Sequence, residues 1–308
     1  MILSVSRRTD IPAYYSQWLL NRLKAGYALV RNPVNHAQIT RVPLSPDIVD
    51  CIVLWTKDPA NLLPHLRELD QMGYRYYFQF TLTPYGRELE PGMRNKEQVE
   101  ETLFTLSEKI GAHRIIWRYD PIILNDTLTI DYHKEQFARM CEKFQFAVRS
   151  VTISFVDLYP KLKTDFIRSL TLEEMQQLGE FFGKTAAKFH LPIHTCCETA
   201  DLSQYGITKA SCINPQIVEE LADRHISINR DKNQRPGCGC CESIDIGVYN
   251  TCPHGCVYCY ANYSPESTRH NIEKYNPEGE LLIGRVMEGE PIRERKVKSN
   301  LDGQLSWF

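Results

Sequence analysis

The chain has 308 residues, 43% of them hydrophobic, and a formal net charge of −2. This length allows a sizeable core in one large domain or two smaller ones, and the nearly balanced charge argues against a nucleic-acid partner. The sequence has no apolar run long enough for a membrane span and no signal-peptide pattern at its start, so we expect no membrane and a cytoplasmic location.

Short apolar runs rich in β-branched and aromatic residues recur along the chain and predict strands buried on both faces. These predicted strands lie at residues 2–6, 51–55, 76–82, 114–118, 151–155, 192–195 and 244–249. Helical patterns follow most of them, at residues 15–25, 59–72, 95–110 and 131–144, from a capping box at 171–174 towards 189, and from 214 onwards.

Strands that alternate with helices at this spacing favour parallel pairing with right-handed crossovers. We therefore predict an α/β fold, a complete or partial (β/α) barrel of parallel strands, with an open doubly wound sheet as the alternative. A single barrel domain is expected over residues 1–263, and the charged, weakly apolar residues 264–308 are expected to form a C-terminal extension that packs on it.

Polar residues follow each predicted strand, and the carboxyl ends of parallel strands meet at one edge of a sheet. We therefore expect these residues to share one site. Arg7, Arg8 and Asp10 are candidates for binding an anionic or zwitterionic substrate, although a surface ion pair between Arg7 and Asp10 is an alternative. Tyr85 and Asp157 are candidates for proton or hydrogen transfer.

Eleven cysteines are present, and nine of them lie after residue 190. In a chain without a secretion signal, clustered cysteines indicate metal or redox ligands rather than disulfides. Cys51 and Cys141 stand apart in apolar surroundings and are expected to be ordinary core residues.

The strongest motif is C-x3-C-x2-C, formed by Cys252, Cys256 and Cys259 directly after the last predicted strand. A 4Fe–4S cluster normally takes four cysteines, so three on one loop leave a remote fourth ligand or an open iron. A structural zinc site is the alternative, although zinc loops typically present C-x2-C pairs. His254 lies inside the loop, where we expect a structural role rather than ligation.

A second, looser set of cysteines is able to ligate a closed auxiliary cluster, with zinc as the main alternative. Its candidate ligands are Cys197, Cys212, Cys238 and Cys240. The sequence leaves open whether Cys196 or Cys197, and Cys240 or Cys241, faces the metal, because strand alternation allows only one of two neighbours to do so.

The cysteine loop, with Tyr258 just before its last cysteine, resembles that of the radical S-adenosylmethionine (SAM) enzymes. The resemblance implies that Cys252, Cys256 and Cys259 bind a 4Fe–4S cluster whose open iron takes SAM, with Tyr258 near the adenine. Reductive cleavage of SAM would then start radical chemistry on a small or peptidic substrate, and the electron would come from a donor such as flavodoxin or ferredoxin.

The position of the loop departs from that family, in which it follows the first strand. A circular permutation of the barrel accounts for the difference, since barrel termini can lie close together. Because SAM-binding residues beyond the loop cannot be carried over, charge and position nominate Lys57 and Arg118 for the SAM carboxylate. Asp120 and Glu198 are nominated for its ammonium and ribose hydroxyls.

The whole chain also resembles a bacterial family of unknown function. The resemblance rests on the Ser-Arg-Arg-Thr-Asp-Ile-Pro-Ala stretch at residues 6–13, Trp-Thr-Lys-x-Pro at 55–59, Trp-Arg-Tyr-Asp-Pro at 117–121 and Tyr-Cys-Tyr-Ala-Asn at 258–262. Two other functions remain open on the sequence alone. One is an iron–sulfur electron-transfer or redox protein without SAM chemistry, and the other is a zinc-stabilised binding module.

Overall fold

A computed structural model describes residues 1–158 and 166–302 of the protein. In chain order its first half contains β1 (Ile2–Val5), α1 (Ile11–Tyr14), α2 (Ser16–Ala25), β2 (Tyr27–Arg31), β3 (Ile39–Pro43), β4 (Cys51–Thr56), α3 (Leu66–Gln71), β5 (Tyr76–Thr81), α4 (Lys96–Ile110), β6 (Ile115–Ile122) and α5 (Ile130–Phe144). The remaining elements are β7 (Ser150–Phe155), α6 (Leu172–Lys188), β8 (Ile193–Thr195), β9 (Thr208–Lys209), α7 (Pro215–Ala222), β10 (Ser243–Asp245), α8 (Pro265–Glu273) and β11 (Ile292–Glu294).

The main sheet has eight strands in the order β10-β1-β4-β5-β6-β7-β8-β9, and every neighbouring pair is parallel. All seven predicted strands belong to it. From β1 to β9 the strand order follows the chain without reversing, whereas a doubly wound sheet reverses at its centre. Since β9 and β10 are its unpaired edges in the described part of the chain, the sheet is an open, barrel-like α/β fold.

Alternate residues of the central strands pack into two separate cores, as the period of two in a strand requires. Leu3, Ile52 and Phe78 face the helices, in a core with Trp18 and Leu103. Their neighbours Ile2, Val53 and Tyr77 face the opposite way and pack against residues 212–241. The second cysteine set and helix α7 therefore lie on the face of the sheet opposite to the one that α2 and α4 cover.

The structure agrees with the predictions for the two isolated cysteines and for the start of α6. Cys51 and Cys141 are fully buried and lie outside any thiol cluster. Thr171 and Glu174 form the predicted capping box, in which each side chain bonds to the backbone of the other residue.

The sequence analysis missed a small second sheet, in the order β11-β3-β2. Its strand β11 comes from the predicted extension, which is described as far as residue 302. That segment also binds the rest of the chain through Gly279 O, which accepts from Trp18 Nε1 at 2.9 Å, and Glu280 O, which accepts from Leu29 N at 3.0 Å. In the ranges described, no helix combines the length and apolar character needed to cross a bilayer.

Candidate functional site

A cavity of about 480 Å³ opens at the carboxyl ends of the parallel strands. Its volume is within the usual range for sites that bind small molecules. Fifteen of the seventeen residues nominated from the sequence line it, and they come from both cysteine sets and from most strand ends. These are Arg7, Arg8, Asp10, Lys57, Arg118, Asp120, Asp157, Cys197, Cys212, Cys238, Cys240, Cys252, Cys256, Tyr258 and Cys259.

The loop that carries Cys252, Cys256 and Cys259 is closed on itself at its base. Asn250 N donates to Ala261 O at 2.8 Å, and Asn262 Nδ2 donates to Cys252 O at 2.5 Å. Asn250 has a φ of 54°, a left-handed conformation that asparagine tolerates better than most residues. The short loop therefore holds its three thiols in one compact turn beside β1.

A second segment, residues 89–92, supports the loop from outside. Val257 N donates to Leu89 O, and Gly92 N donates to His254 O, both at 2.9 Å. A Cβ atom on Gly92 would lie 2.4 Å from Pro253 O and 2.8 Å from His254 Cα. Both are backbone atoms that cannot turn away, so the close approach requires glycine at this position.

Gly92→Ala is expected to displace the cysteine loop and to destabilise the protein by about 1–3 kcal/mol, the usual range for overpacking a buried contact. Iron bound per chain and the free energy of unfolding measure the two effects. Gly86→Ala is the matched control, because its Cβ would meet only the mobile carboxylate of Glu88. Equal iron contents and equal stabilities in the two variants would show that the close approach has no structural role.

Tyr258 is anchored by a buried carboxylate that the sequence analysis missed. Glu90 is fully buried and accepts hydrogen bonds from Lys57 Nζ at 2.7 Å, from Thr83 Oγ1 at 2.7 Å, and from Lys96 and Tyr258. Burial alone would raise the pKa of Glu90, but the two ammonium groups outweigh it and lower the pKa to about 2. Lys57 is therefore ion-paired with Glu90 while it lines the cavity, and its nomination for a SAM carboxylate stays a prediction.

Asp10 and His254 form a second anchor of the loop. His254 Nε2 lies 2.9 Å from Asp10 Oδ2, and its Nδ1 lies 2.9 Å from the hydroxyl of Tyr14. Asp10 also accepts from Lys57 N at 2.7 Å and from Ala13 N at 2.9 Å. Both ring nitrogens of His254 therefore have hydrogen-bond partners. Asp10 lines the cavity and also positions the loop through these three groups, and its role at a substrate stays a prediction.

The three loop thiols are suited to metal binding by their chemistry. Burial raises the pKa of Cys252 well above its ordinary value, that of Cys256 to about 12, and that of Cys259 as well. Thiolates in this position therefore require a nearby positive charge, which a bound metal supplies. An all-sulfur donor set fits an iron–sulfur cluster or zinc rather than magnesium or calcium.

The arrangement of donors bears on the choice between these metals. Within residues 1–158 and 166–302, no group of three or more His, Cys, Asp or Glu side chains is arranged around a single metal position. A structural zinc needs four ligands around one ion, whereas a 4Fe–4S cluster spreads its thiolates over separate irons. The thiols present fit a 4Fe–4S cluster in donor type.

The second cysteine set forms a row of sulfurs on the opposite wall of the cavity. Cys196 Sγ and Cys212 Sγ are 3.0 Å apart, and the Cys240 thiol lies close enough to those of Cys212 and Cys238 to shift their pKa values. Cys197 is outside the row, with its sulfur 3.4 Å from Pro236 O. The geometry thus favours Cys196 over the predicted Cys197 as the fourth ligand.

Arg118 connects this row to the centre of the cavity. Its Nη1 donates to Cys212 Sγ at 2.9 Å, and its Nε donates to Asp120 Oδ2 at 3.0 Å. Asp120 also accepts from Ser154 Oγ. Burial would raise the pKa of Asp120, but the Arg118 guanidinium and the Ser154 hydroxyl lower it. Arg118 is buried against these partners and lines the cavity, and its nomination for a SAM carboxylate stays a prediction.

Two nominated residues lie outside the cavity. Tyr85 is fully buried, and its hydroxyl donates to Pro121 O at 2.7 Å and accepts from Ile123 N at 2.9 Å. Tyr85 does not line the cavity, and its role in hydrogen transfer stays a prediction. Glu198 accepts from Phe155 N at 2.9 Å, and burial raises its pKa to about 7; its role at the ribose likewise stays a prediction.

The sequence is similar to that of a known protein family. A family model described as Domain of unknown function (DUF1848) matches residues 2–261. The chain belongs to this family. The DUF1848 match covers every strand of the main sheet and both cysteine sets. No curated protein matches the chain significantly.

One solved structure similar to this DUF1848 protein is the C-terminal domain of a presumed chitinase from Desulfitobacterium hafniense DCB-2. The identity is 10% and the TM-score is 0.24, with 76% of this chain and 55% of the other chain covered. The chain thus spans about half the length of that structure. A TM-score of this size carries no argument about shared fold or activity.

Proposed function

We propose that this protein is a radical SAM-type enzyme that binds a 4Fe–4S cluster through Cys252, Cys256 and Cys259. The observation that carries the proposal is the shared cavity. Three thiols on one loop and a second row of thiols line the same small-molecule-sized cavity at the carboxyl edge of a parallel sheet. Three ligands would leave one iron open towards this cavity, where SAM would bind.

The sheet order supports the circular permutation that this proposal requires. Strand β10, which leads into the cysteine loop, pairs with β1 at the edge of the sheet. A chain that began at β10 would give the main sheet in sequential order, with the cysteine loop after its first strand. That is the position of the loop in the enzymes that the motif resembles.

When bound, the cluster would supply the electron that cleaves SAM and starts radical chemistry. The surrounding side chains position the ligands and exclude water. Glu90 and Lys57 hold Tyr258 against the cavity wall, while Asp10 and His254 fix the middle of the loop. A small or peptidic substrate and an electron donor such as flavodoxin or ferredoxin complete the proposed reaction.

The second thiol row is proposed to hold a closed auxiliary iron–sulfur cluster. Its four candidate ligands, revised on the geometry, are Cys196, Cys212, Cys238 and Cys240. Cys241 does not line the cavity, which supports Cys240 as the inward-facing member of that neighbouring pair. Four thiolates are a complete set for a 4Fe–4S cluster, and zinc is the competing occupant.

Anaerobic purification tests the proposal. The protein is expected to be brown, to contain about eight irons per chain, and to cleave SAM after chemical reduction, as measured by chromatography of the products. Iron without SAM cleavage would instead support an electron-transfer protein. A colourless protein with one or two zinc ions would support a zinc-stabilised binding module.

A further inference from the structure

The charged groups of the cavity are unequally paired. Five Lys and Arg side chains line it, and three of them hydrogen-bond to a carboxylate. Those three pairs are Lys57 with Glu90, Arg118 with Asp120, and Arg235 with Asp157. Among the described residues, the guanidinium groups of Arg7 and Arg8 are the remaining two, and neither makes such a bond.

Asp245, the acid that lies close to both arginines, has no hydrogen-bonding capacity to spare. Its Oδ1 accepts from Ser6 Oγ at 2.6 Å and from Gly247 N at 3.0 Å. Its Oδ2 accepts from Ser4 Oγ and from the Arg7 backbone N, both at 2.8 Å. A carboxylate offers about four acceptor positions, so the neutral donors fill them. Arg7 Nε therefore lies 4.0 Å from Asp245 Oδ2, and Arg8 Nε lies 3.9 Å from Asp245 Oδ1.

Asp231 also lies near an arginine without hydrogen-bonding to it. It lies 3.9 Å from Arg7 Nη2, while its oxygens accept from Asn233 N at 3.0 Å and Gln234 Nε2 at 2.8 Å. Asp245 and Asp231 therefore balance the charge of the two arginines across a gap. This charge interaction stabilises the partly buried arginines, and it leaves their N–H groups available to other acceptors.

Most donors of the two arginines remain available. Arg7 Nη2 donates to Ser243 Oγ at 2.9 Å, and Arg8 Nη1 donates to Gly247 O at 3.3 Å. Each guanidinium has five N–H groups. Both side chains are about one-fifth exposed, at 19% and 22%, and both residues line the cavity.

The arginines lie next to the end of the cysteine loop. Tyr260 OH donates to Arg7 O at 2.5 Å, and Cys259 and Ala261 line the same cavity. We propose that Arg7 and Arg8 form an oxyanion site that binds a phosphate or carboxylate group of the substrate. Arginine forks recognise both groups by paired, charge-assisted hydrogen bonds. The assignment to a substrate rests on the proposed function, whereas the oxyanion site itself does not.

The same chemistry has two sources, since SAM also carries a carboxylate. The two sources differ in a measurable way. A substrate site binds simple oxyanions in the absence of SAM. Removing that site by mutation leaves the affinity for SAM unchanged.

Calorimetry on the anaerobically reconstituted protein, with inorganic phosphate, acetate and SAM as separate probes, tests the proposal. Wild-type protein is expected to bind phosphate or acetate saturably. The double variant R7Q/R8Q is expected to weaken that binding by about 10- to 100-fold, as follows from losing charge-assisted hydrogen bonds. R7K/R8K, which keeps the charge and guards against misfolding, should retain part of it. SAM affinity should change by less than about twofold in both.

Arg149→Gln is the matched control, because this arginine pairs with Glu220 at the surface and does not line the cavity. It is expected to leave phosphate, acetate and SAM binding unchanged. Absence of oxyanion binding in the wild type would overturn the proposal, as would a loss of SAM affinity in R7Q/R8Q with phosphate binding intact. If phosphate binds as expected but SAM is not cleaved, the proposed function fails and the oxyanion site stands.

Discussion

Replacing Cys256 by serine is expected to remove about four of the eight irons and to lower SAM cleavage by more than about 100-fold. Cys256 is the central thiol of the three-cysteine loop and faces the cavity. With Cys256 replaced, only two loop thiols remain, and the proposed cluster needs three protein ligands while its fourth iron stays open for SAM. Iron and sulfide per chain, together with SAM cleavage under reduction, measure the effect.

Cys141→Ser is the matched control, because Cys141 is also a buried thiol of the same core but does not line the cavity. It is expected to lower stability modestly, as a polar group replaces a buried thiol, and to keep the full iron content. The row of Cys196, Cys212, Cys238 and Cys240 should also keep its iron in Cys256→Ser. Full iron and normal SAM cleavage in Cys256→Ser would contradict the assignment of the loop.

Replacing Glu90 by glutamine is expected to destabilise the protein by about 3–5 kcal/mol, the usual cost of breaking a buried ion pair. The change leaves the ammonium groups of Lys57 and Lys96 buried with a neutral partner, and the side chain of Lys57 is only 13% exposed. It also weakens the bond that holds Tyr258, so the cysteine loop should bind its cluster less tightly. Denaturant unfolding under anaerobic conditions and the rate of iron loss to a chelator measure both effects.

Glu100→Gln provides the comparison for this second variant. Glu100 is also buried and also binds two cations, with Arg139 at 3.1 Å and Lys143 at 2.5 Å, but both partners are more than two-fifths exposed. Exposed partners are rehydrated when the carboxylate is lost, so the expected cost is no more than about 1 kcal/mol. Similar losses of stability in the two variants, or unchanged iron retention in Glu90→Gln, would contradict the role of Glu90 as an anchor.

The Glu90 pair also predicts a pH dependence. Because the folded protein lowers the pKa of Glu90 from 4.5 to about 2, its contribution to stability is complete above about pH 4.5. The contribution is lost as the pH falls towards 2. The stability difference between wild type and Glu90→Gln should therefore be constant near neutral pH and shrink across this acidic range. A difference that grew on acidification would have the wrong sign.

The sequence predicted the main sheet well for a physical reason. Its strands are covered on both faces, so they appear as continuous apolar runs that are hard to mistake. The small sheet was missed because its strand β11 is only three exposed residues, Ile-Arg-Glu, which carry no such pattern. Its partner β3 lies some 250 residues earlier in the chain, and pairing over that distance leaves no local signal.

The sequence also predicted which residue types gather at the site but not how they pair. Strand alternation implied that one of Cys196 and Cys197 faces the metal. Strand β8 ends at Thr195 and Cys197 has a φ of 58°, so alternation no longer applies and both residues line the cavity. The role of Glu90 could not be predicted from the sequence, because it depends on contacts with Lys57 and Lys96 that form only in the folded chain.

Electron paramagnetic resonance of the reduced protein, recorded with and without SAM, tests the central claim most directly. The signal of the cluster at Cys252, Cys256 and Cys259 is expected to change when SAM is added, because SAM would bind the iron that these thiols leave open. A signal that SAM does not alter, with a protein side chain as fourth ligand, would contradict the claim. So would one zinc ion bound at the same three thiols.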